Sequence, residues 1–280
     1  MPKAIDFHVH VPREPGLPPS RFQEAMDKYF KSAPGPKSAD EMAAAYEELD
    51  MMAIIFDINT QSISGEPSSS NDYVAGIVKK YPDRFIGFAT VDPWTGKLAI
   101  AELERNVKEL GLKGLKLHPN EQEFFPNDRR FYPIYEKCAE LKIPLLFHSG
   151  HAGTGAGMPG GGGIKLKYSA PIPYVDDVAA DFPELTIIMA HPGWPWQEEQ
   201  IAVALHKPNT YIDLSGWSPK YFPPSLIQFS NTLLQDKVLF GSDYPAITPQ
   251  RWLKDFEAAS FKDEVRPKIL LENAKKLLGL

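Results

Sequence analysis

The sequence has little cysteine, no long apolar run and no excess of basic residues. Its 280 residues include a single cysteine, Cys138, so no disulfide can form within the chain, as is typical of proteins in a reducing cytoplasm. No stretch approaches the roughly 18 apolar residues of a membrane span. A formal net charge of −6 gives no electrostatic reason to expect nucleic acid as a partner. Met1 to Lys3 leads directly into an apolar strand pattern, which leaves no room for a signal peptide. We therefore expect a cytoplasmic protein that binds a small molecule and contacts neither membrane nor nucleic acid.

Short apolar segments alternate with segments of helical periodicity along the whole chain. The predicted strands are Ala4–His10, Ala53–Asn59, Phe85–Asp92, Gly114–Pro119, Pro144–Gly150, Thr186–His191, Thr210–Ser215 and Val238–Asp243. The predicted helices are Asp40–Asp50, Asn71–Lys80, Lys97–Leu110, Arg130–Leu141, Pro173–Asp181, Gln197–Leu205, Pro224–Gln235, Pro249–Ala258 and Glu264–Leu278. Eight alternations in a chain of this length favour an α/β fold of the closed (β/α)8 TIM-barrel type, although periodicity alone leaves an open sheet possible.

Two predicted connections are longer than the others. Residues 11–37 form a proline-rich excursion after the first strand, and residues 150–169 form a glycine-rich loop after the fifth. Because no linker separates the segments, we expect residues 1–280 to form one domain, with the glycine-rich loop at its active site. Cys138 lies in a helical pattern and is expected to be a small core residue.

Five of the seven histidines lie at or just after the C-terminal end of a predicted strand. They are His8, His10, His118, His148 and His191, and Asp243 ends the eighth strand in the same way. In a (β/α)8 barrel all these ends meet on one face, where active sites are built. Residues placed for structural reasons would not favour that end of each strand, so this clustering predicts a common site.

His8 and His10 are two residues apart on a strand, so both side chains should point the same way, with Phe7 and Val9 on the other side. Such a pair is half of a metal site, and we predict that His148 and Asp243 complete it. Three imidazoles and one carboxylate suit one divalent ion, zinc first and manganese, cobalt or iron as alternatives.

A bound zinc lowers the pKa of its water toward 7. Asp243 could accept the proton of that water, and His191 could polarise a carbonyl, act as an acid or be a fifth ligand. The same ion could instead hold a carboxylated substrate and stabilise a carbanion-like transition state. Lys116 and His118 share one side of the fourth strand, where Lys116 could bind a substrate carboxylate or, if carbamylated, bridge two metals. The residues thus predict metal chemistry and leave the reaction open.

Five motifs together resemble the amidohydrolase superfamily, and within it the amidohydrolase-related branch of metal-dependent hydrolases and decarboxylases. They are DFHVH at 6–10, GLKLHP at 114–119, FHSG at 147–150, AHPG at 190–193 and FGSDYP at 240–245. The resemblance implies a distorted barrel with one ion held by His8, His10, His148 and Asp243, and with His191 beside it as the catalytic acid or base. Some decarboxylases of the branch have Glu in place of the first histidine, which this chain keeps. Homodimers are common in the branch, so a homodimer is possible.

The glycine-rich loop bears on the substrate. Glycines 160–163 would let backbone N–H groups approach an acidic or phosphate-bearing ligand, with Lys165 and Lys167 adding positive charge, although a mobile lid explains the loop equally well. Aromatic residues near strand ends could line a pocket for a flat substrate or pack against helices; they are Trp194, Trp196, Trp217, Tyr221 and Phe222. We take Lys116, His118, Lys165 and Trp194 as the substrate-binding candidates.

The favoured function is a metal-dependent hydrolase of a carboxylated or carbonyl-bearing small molecule, with an aromatic acyl-CoA thioester as a candidate if the loop binds phosphate. The alternative is non-oxidative decarboxylation of an aromatic or muconate-like acid at the same ion. A third possibility is a barrel that binds a ligand without turning it over, but every predicted strand-end ligand is present.

Overall fold

The computed structural model describes residues 2–31 and 35–280. Met1 lies outside the described residues, and so do residues 32–34 of the predicted excursion. Its strands are β1 (Ala4–His10), β2 (Met51–Phe56), β3 (Phe85–Gly87), β4 (Ala89–Thr90), β5 (Leu115–Leu117), β6 (Leu145–His148), β7 (Ile187–Ala190), β8 (Thr210–Asp213) and β9 (Val238–Leu239). All pairings between these strands are parallel.

The strands close into a barrel through backbone hydrogen bonds. They pair in the orders β1-β2-β3 and β4 to β9. Phe88, between β3 and β4, donates to Ile55 of β2, so these two short strands take the place of the third predicted strand. On the other side, Phe7 N donates to Phe240 O at 2.8 Å and Asp243 N to His8 O at 2.9 Å, which joins β1 to the segment after β9. The fold is the (β/α)8 TIM-like barrel that the alternation predicted.

Helices follow most of the strands. They are α1 (Gln23–Phe30), α2 (Ala39–Glu48), α3 (Gln61–Ser64), α4 (Asn71–Lys80), α5 (Lys97–Lys108), α6 (Tyr132–Leu141), α7 (Asp176–Asp181), α8 (Gln197–His206), α9 (Pro224–Ser230), α10 (Pro249–Ala258) and α11 (Asn273–Leu278). Ser38 and Ser70 cap α2 and α4 with their side-chain oxygens, which satisfies N–H groups that have no partner within the helix. No helix within the described residues is long and apolar enough to cross a lipid bilayer.

The apolar core has two parts, one inside the barrel and one between the barrel and its helices. A small interior cluster includes Ile5, Phe7 and Phe88, while a larger one between strands and helices includes Val9 and the buried Cys138. The expectation that Phe7 and Val9 share one side of β1 was therefore wrong. The register with β2 shifts between Asp6 and Val9, and this β-bulge places Phe7 in the interior cluster.

Candidate metal centre

His8, His10 and Asp243 converge at the C-terminal end of the barrel. Their ligand atoms all lie within 4.8 Å of one another. Nε2 of His10 is 3.3 Å and Nε2 of His8 is 3.5 Å from the same oxygen of Asp243. The backbone bonds that close the barrel bring Asp243 to β1, although its residue number is far from theirs. Asp243 also has a left-handed φ of 69°, a strained conformation that functional sites often contain.

Asp6 fixes the relative position of the two segments that carry these side chains. This buried carboxylate accepts hydrogen bonds from the backbone N–H of Ser242 at 2.8 Å and from the hydroxyl groups of Ser242 and Tyr46. Burial raises the pKa of Asp6 to about 7, against the opposing effect of these hydrogen bonds. Asp6 therefore ties β1 to the residue next to Asp243.

The charge states of the cluster suit a cation. Burial, together with the nearby Lys116 ammonium, lowers the pKa of His8 to about 3, so its ring is neutral and can offer a lone pair. Burial alone would raise the pKa of Asp243, but the hydrogen bond from His10 and the neighbouring imidazoles hold that pKa well below its usual range. A neutral imidazole beside a carboxylate anion is the pairing that divalent ions bind.

His148 lies at the end of β6 in the wall of the same cavity, but its nitrogens do not belong to the three-residue group. Its Nδ1 is 3.1 Å from Nε2 of His191, and its ring stacks on His118 at 3.8 Å. Its Nε2 is buried and has no hydrogen-bond partner among the described residues. A buried imidazole nitrogen without a partner needs one, and this fits the role of a further ligand.

Asp213 and Ser215 belong to the site, although the sequence pattern did not single them out. Oδ2 of Asp213 is 2.9 Å from Nδ1 of His8, and Oδ1 accepts the backbone N–H of Ser215 at 2.9 Å. The Ser215 hydroxyl lies 3.0 Å from His8 Nδ1 and 2.8 Å from His191 Nδ1. Asp213 ends β8 as the predicted ligands end their strands, so the same criterion applied to acids would have found it. It orients His8 so that Nε2 faces the cavity.

His191 is buried and uses both ring nitrogens. Nδ1 contacts Ser215 and Nε2 contacts His148, so the ring is held between two neighbours. A side chain at Gly216 would approach His191 Nδ1 to 2.6 Å, and Gly216 has a positive φ of 73°, so only glycine fits there. As the structure stands, His191 supports the site through its contacts, and acid or base action would require one of them to open.

Lys116 and His118 both line the cavity. Lys116 is fully buried, with Nζ 3.4 Å from His8 Nε2 and 5.1 Å above the ring of Phe56. Burial lowers the pKa of Lys116 to about 8. An amine in this position is close to the ligand atoms, and it can contact a group bound there.

Lys165 and Trp194 do not line this cavity. Lys165 pairs with Glu123 at 2.9 Å, and Trp194 is about half exposed beside Trp217 in a separate small pocket. A side chain at Gly153 would meet the ring of Phe30 at 2.5 Å, and one at Gly162 the ring of Phe22 at 2.7 Å. These glycines of the loop at residues 150–169 thus allow close packing against α1 and the residue before it.

The cavity above the cluster has a volume of about 440 Å³. The strand-end histidines and Asp243 form one wall. Residues of the excursion and α1 form another, among them Arg13, Phe22 and Met26. A cavity of this size encloses a small organic molecule.

A parallel barrel with histidines and a carboxylate converging on one cavity defines a metal-dependent enzyme of the TIM-barrel class. A family model described as amidohydrolase matches residues 5–280, and the chain belongs to this family.

Three curated relatives match with moderate identity. The 2-amino-3-carboxymuconate-6-semialdehyde decarboxylase of Dictyostelium discoideum is 24% identical, over 75% of this chain and 65% of its own length. The gamma-resorcylate decarboxylase of a Polaromonas strain is 26% identical over 75% of each chain. The 2-keto-4-carboxy-3-hexenedioate hydratase of a Sphingobium strain is 28% identical, over 62% of this chain and 56% of its own length. The chain thus spans about two thirds of the first of these relatives, and the third matches over little more than half its length.

Among solved structures, an uncharacterized TIM-barrel protein from Bordetella bronchiseptica superposes with a TM-score of 0.83. It is 27% identical, and the match covers 99% of this chain and 98% of that one. The barrel architecture is therefore shared over essentially the whole length.

Proposed function

We propose that the chain is a metal-dependent decarboxylase of an aromatic or muconate-like carboxylic acid. The observation that carries the proposal is the convergence of His8, His10 and Asp243 on a cavity of about 440 Å³. Two of the three relatives above are decarboxylases by name, which supports the decarboxylase alternative over the hydrolase that the sequence first favoured.

His8, His10 and Asp243 would hold a divalent ion, with His148 as a further ligand through its unpartnered Nε2. When bound, such an ion would supply Lewis-acid stabilisation of negative charge on the substrate. Zinc suits the three histidines and one carboxylate, and manganese is an alternative. Lys116 would contact the substrate carboxylate from inside the barrel, since its ammonium lies next to His8.

Loss of carbon dioxide leaves an electron pair on the carbon that carried the carboxyl group, and this pair must form a bond to a proton. We assign this proton transfer to Asp243, which lines the cavity: its carboxylate would take a proton from a water molecule, leaving hydroxide, and pass that proton to the carbon. Because the pKa of Asp243 is held low, the carboxylate is its resting form, and the protonated form would give up its proton readily to the carbon. His191 would keep His148 in position, since its Nε2 lies 3.1 Å from Nδ1 of His148.

The test is incubation of the metal-loaded protein with hydroxybenzoates in deuterated water. We expect release of carbon dioxide and one deuterium in the product at the carbon that carried the carboxyl group. Asp243→Asn should abolish turnover. Asp236→Asn, an exposed acid that pairs with Lys268, is the matched control and should keep full activity. Carbon dioxide release at the wild-type rate by the Asp243→Asn variant would remove Asp243 from the mechanism.

Hydrolysis is the second candidate, because both N-terminal ligands are histidines, a set that hydrolytic zinc sites use. It predicts oxygen from labelled water in the product and no release of carbon dioxide. An acyl-CoA thioester would be tested in the same way.

A further inference from the structure

A carboxylate that lies outside the metal cluster belongs to the cavity wall. Glu121 follows β5 in the turn His118–Pro119–Asn120–Glu121, and its side chain is only 16% exposed. Its Oε1 lies 3.2 Å from Nε2 of His118 and accepts the hydroxyl of Thr154 at 2.8 Å. Glu121, His118 and Thr154 all line the cavity.

The backbone of this turn is held rigidly by a buried amide. Gln122 accepts the N–H of His118 at 2.8 Å, and its own amide donates to the carbonyls of Asn59 and Val91, both at 2.8 Å. Glu121 therefore projects from a fixed backbone, which reduces the cost of ordering it on ligand binding.

The hydrogen bonds around His118 define which group donates. The N–H of Glu121 donates to His118 Nδ1 at 3.3 Å, so Nδ1 carries a lone pair. Because Nδ1 accepts this N–H, the ring proton of His118 is on Nε2. His118 Nε2 and Thr154 thus both donate to Oε1 of Glu121. Within residues 2–31 and 35–280, Oε2 has no hydrogen-bond donor, so it remains an acceptor at the cavity.

We propose that Glu121 selects substrates whose ring carries a hydrogen-bond donor, a hydroxyl or an amino group. The inference rests on the proposed function for the aromatic acid and adds a second recognition point to it. The neighbouring acid Glu123 is already paired with Lys165, whereas no cation pairs with Glu121 among the described residues. A buried acceptor that meets no donor from the ligand costs affinity, so a ligand without a donor should be rejected.

The test is equilibrium binding by calorimetry with the three hydroxybenzoate isomers, the matching aminobenzoates and the matching methoxybenzoates. For the wild-type protein we expect at least one donor-bearing isomer to bind about tenfold or more tightly than its methoxy counterpart. Comparison of hydroxyl with amino identifies which donor is preferred. In Glu121→Gln, whose amide can donate to a methoxy oxygen, the ratio should fall to within about twofold of one.

Glu123→Gln is the matched control and should keep the wild-type ratio, since Glu123 does not line the cavity. If the Glu121→Gln variant fails to fold, as judged by thermal unfolding, Glu121→Ala replaces it and should lose the preference as well. An unchanged ratio in the Glu121 variant, no preference in the wild type, or no binding of any isomer would overturn the proposal. Because binding is measured instead of turnover, a protein that binds selectively but releases no carbon dioxide would contradict the proposed reaction alone.

Discussion

Replacement of Asp213 by asparagine should weaken metal binding without unfolding the protein. Asp213 receives two donors, the Ser215 N–H on Oδ1 and, when His8 binds an ion through Nε2, the Nδ1–H of His8 on Oδ2. Both distances are 2.9 Å. Asparagine has only one acceptor oxygen, so in either orientation its NH2 faces one of these donors.

The orientation that satisfies Ser215 places the asparagine NH2 against His8 Nδ1 and favours the tautomer with a proton on Nε2. That tautomer cannot bind an ion through Nε2. Loss of such an outer partner costs about 10–100-fold in metal affinity. This corresponds to about 1.4–2.7 kcal/mol of binding free energy.

The assay is competition for zinc or manganese between the protein and a chromophoric chelator, with circular dichroism to verify the fold. Asp236→Asn, which removes an exposed carboxylate, should bind metal as tightly as the wild type. A folded Asp213→Asn variant with a dissociation constant within about twofold of wild type would refute the role assigned to Asp213.

Two further perturbations test other parts of the structure. His148→Ala should reduce the metal content after dialysis from near one ion per chain toward zero, because it removes the unpartnered Nε2. The control is His151→Ala, which replaces a half-buried histidine and should retain the ion. Equal metal contents in the two variants would exclude His148 as a ligand. Gly162→Ala should lower the free energy of unfolding more than Gly160→Ala. Both glycines have a positive φ, which costs an alanine about 1–2 kcal/mol, but only at Gly162 would the new methyl group collide with Phe22. Equal losses of unfolding free energy in a denaturant titration would contradict the close contact between Gly162 and Phe22.

The strands were predictable because each is a short buried apolar run between polar segments. Ala4–His10 was predicted with the bounds that the structure has. The other strands end earlier than predicted, because cavity residues such as His118 and Asp243 were included in the predicted strands but follow them in the structure. The bulge in β1 was not predictable, since alternation alone assumes regular pairing.

The histidines at strand ends predicted the location of the site, because parallel strands bring their ends to one face. The packing of the loops could not be predicted from the sequence pattern. Helix α1 lies within the proline-rich excursion, is only eight residues long and has no capping side chain to mark its start. The glycine run at 160–163 looked suited to an anion, whereas the structure packs Gly162 closely against Phe22. Glu121 contacts Thr154, and Asp213 contacts His8. Each partner is more than 30 residues away in the sequence, so these contacts depend on the tertiary fold.

Because Asp243 joins His8 through the hydrogen bonds that close the barrel, the ion site spans the point where early and late parts of the polypeptide meet. A ribosome-bound chain that has emerged only to β8 already contains His8, His10 and His148 but not the carboxylate. High-affinity capture of the ion must therefore wait until the segment after β9 has been synthesised, and metal uptake would report closure of the barrel.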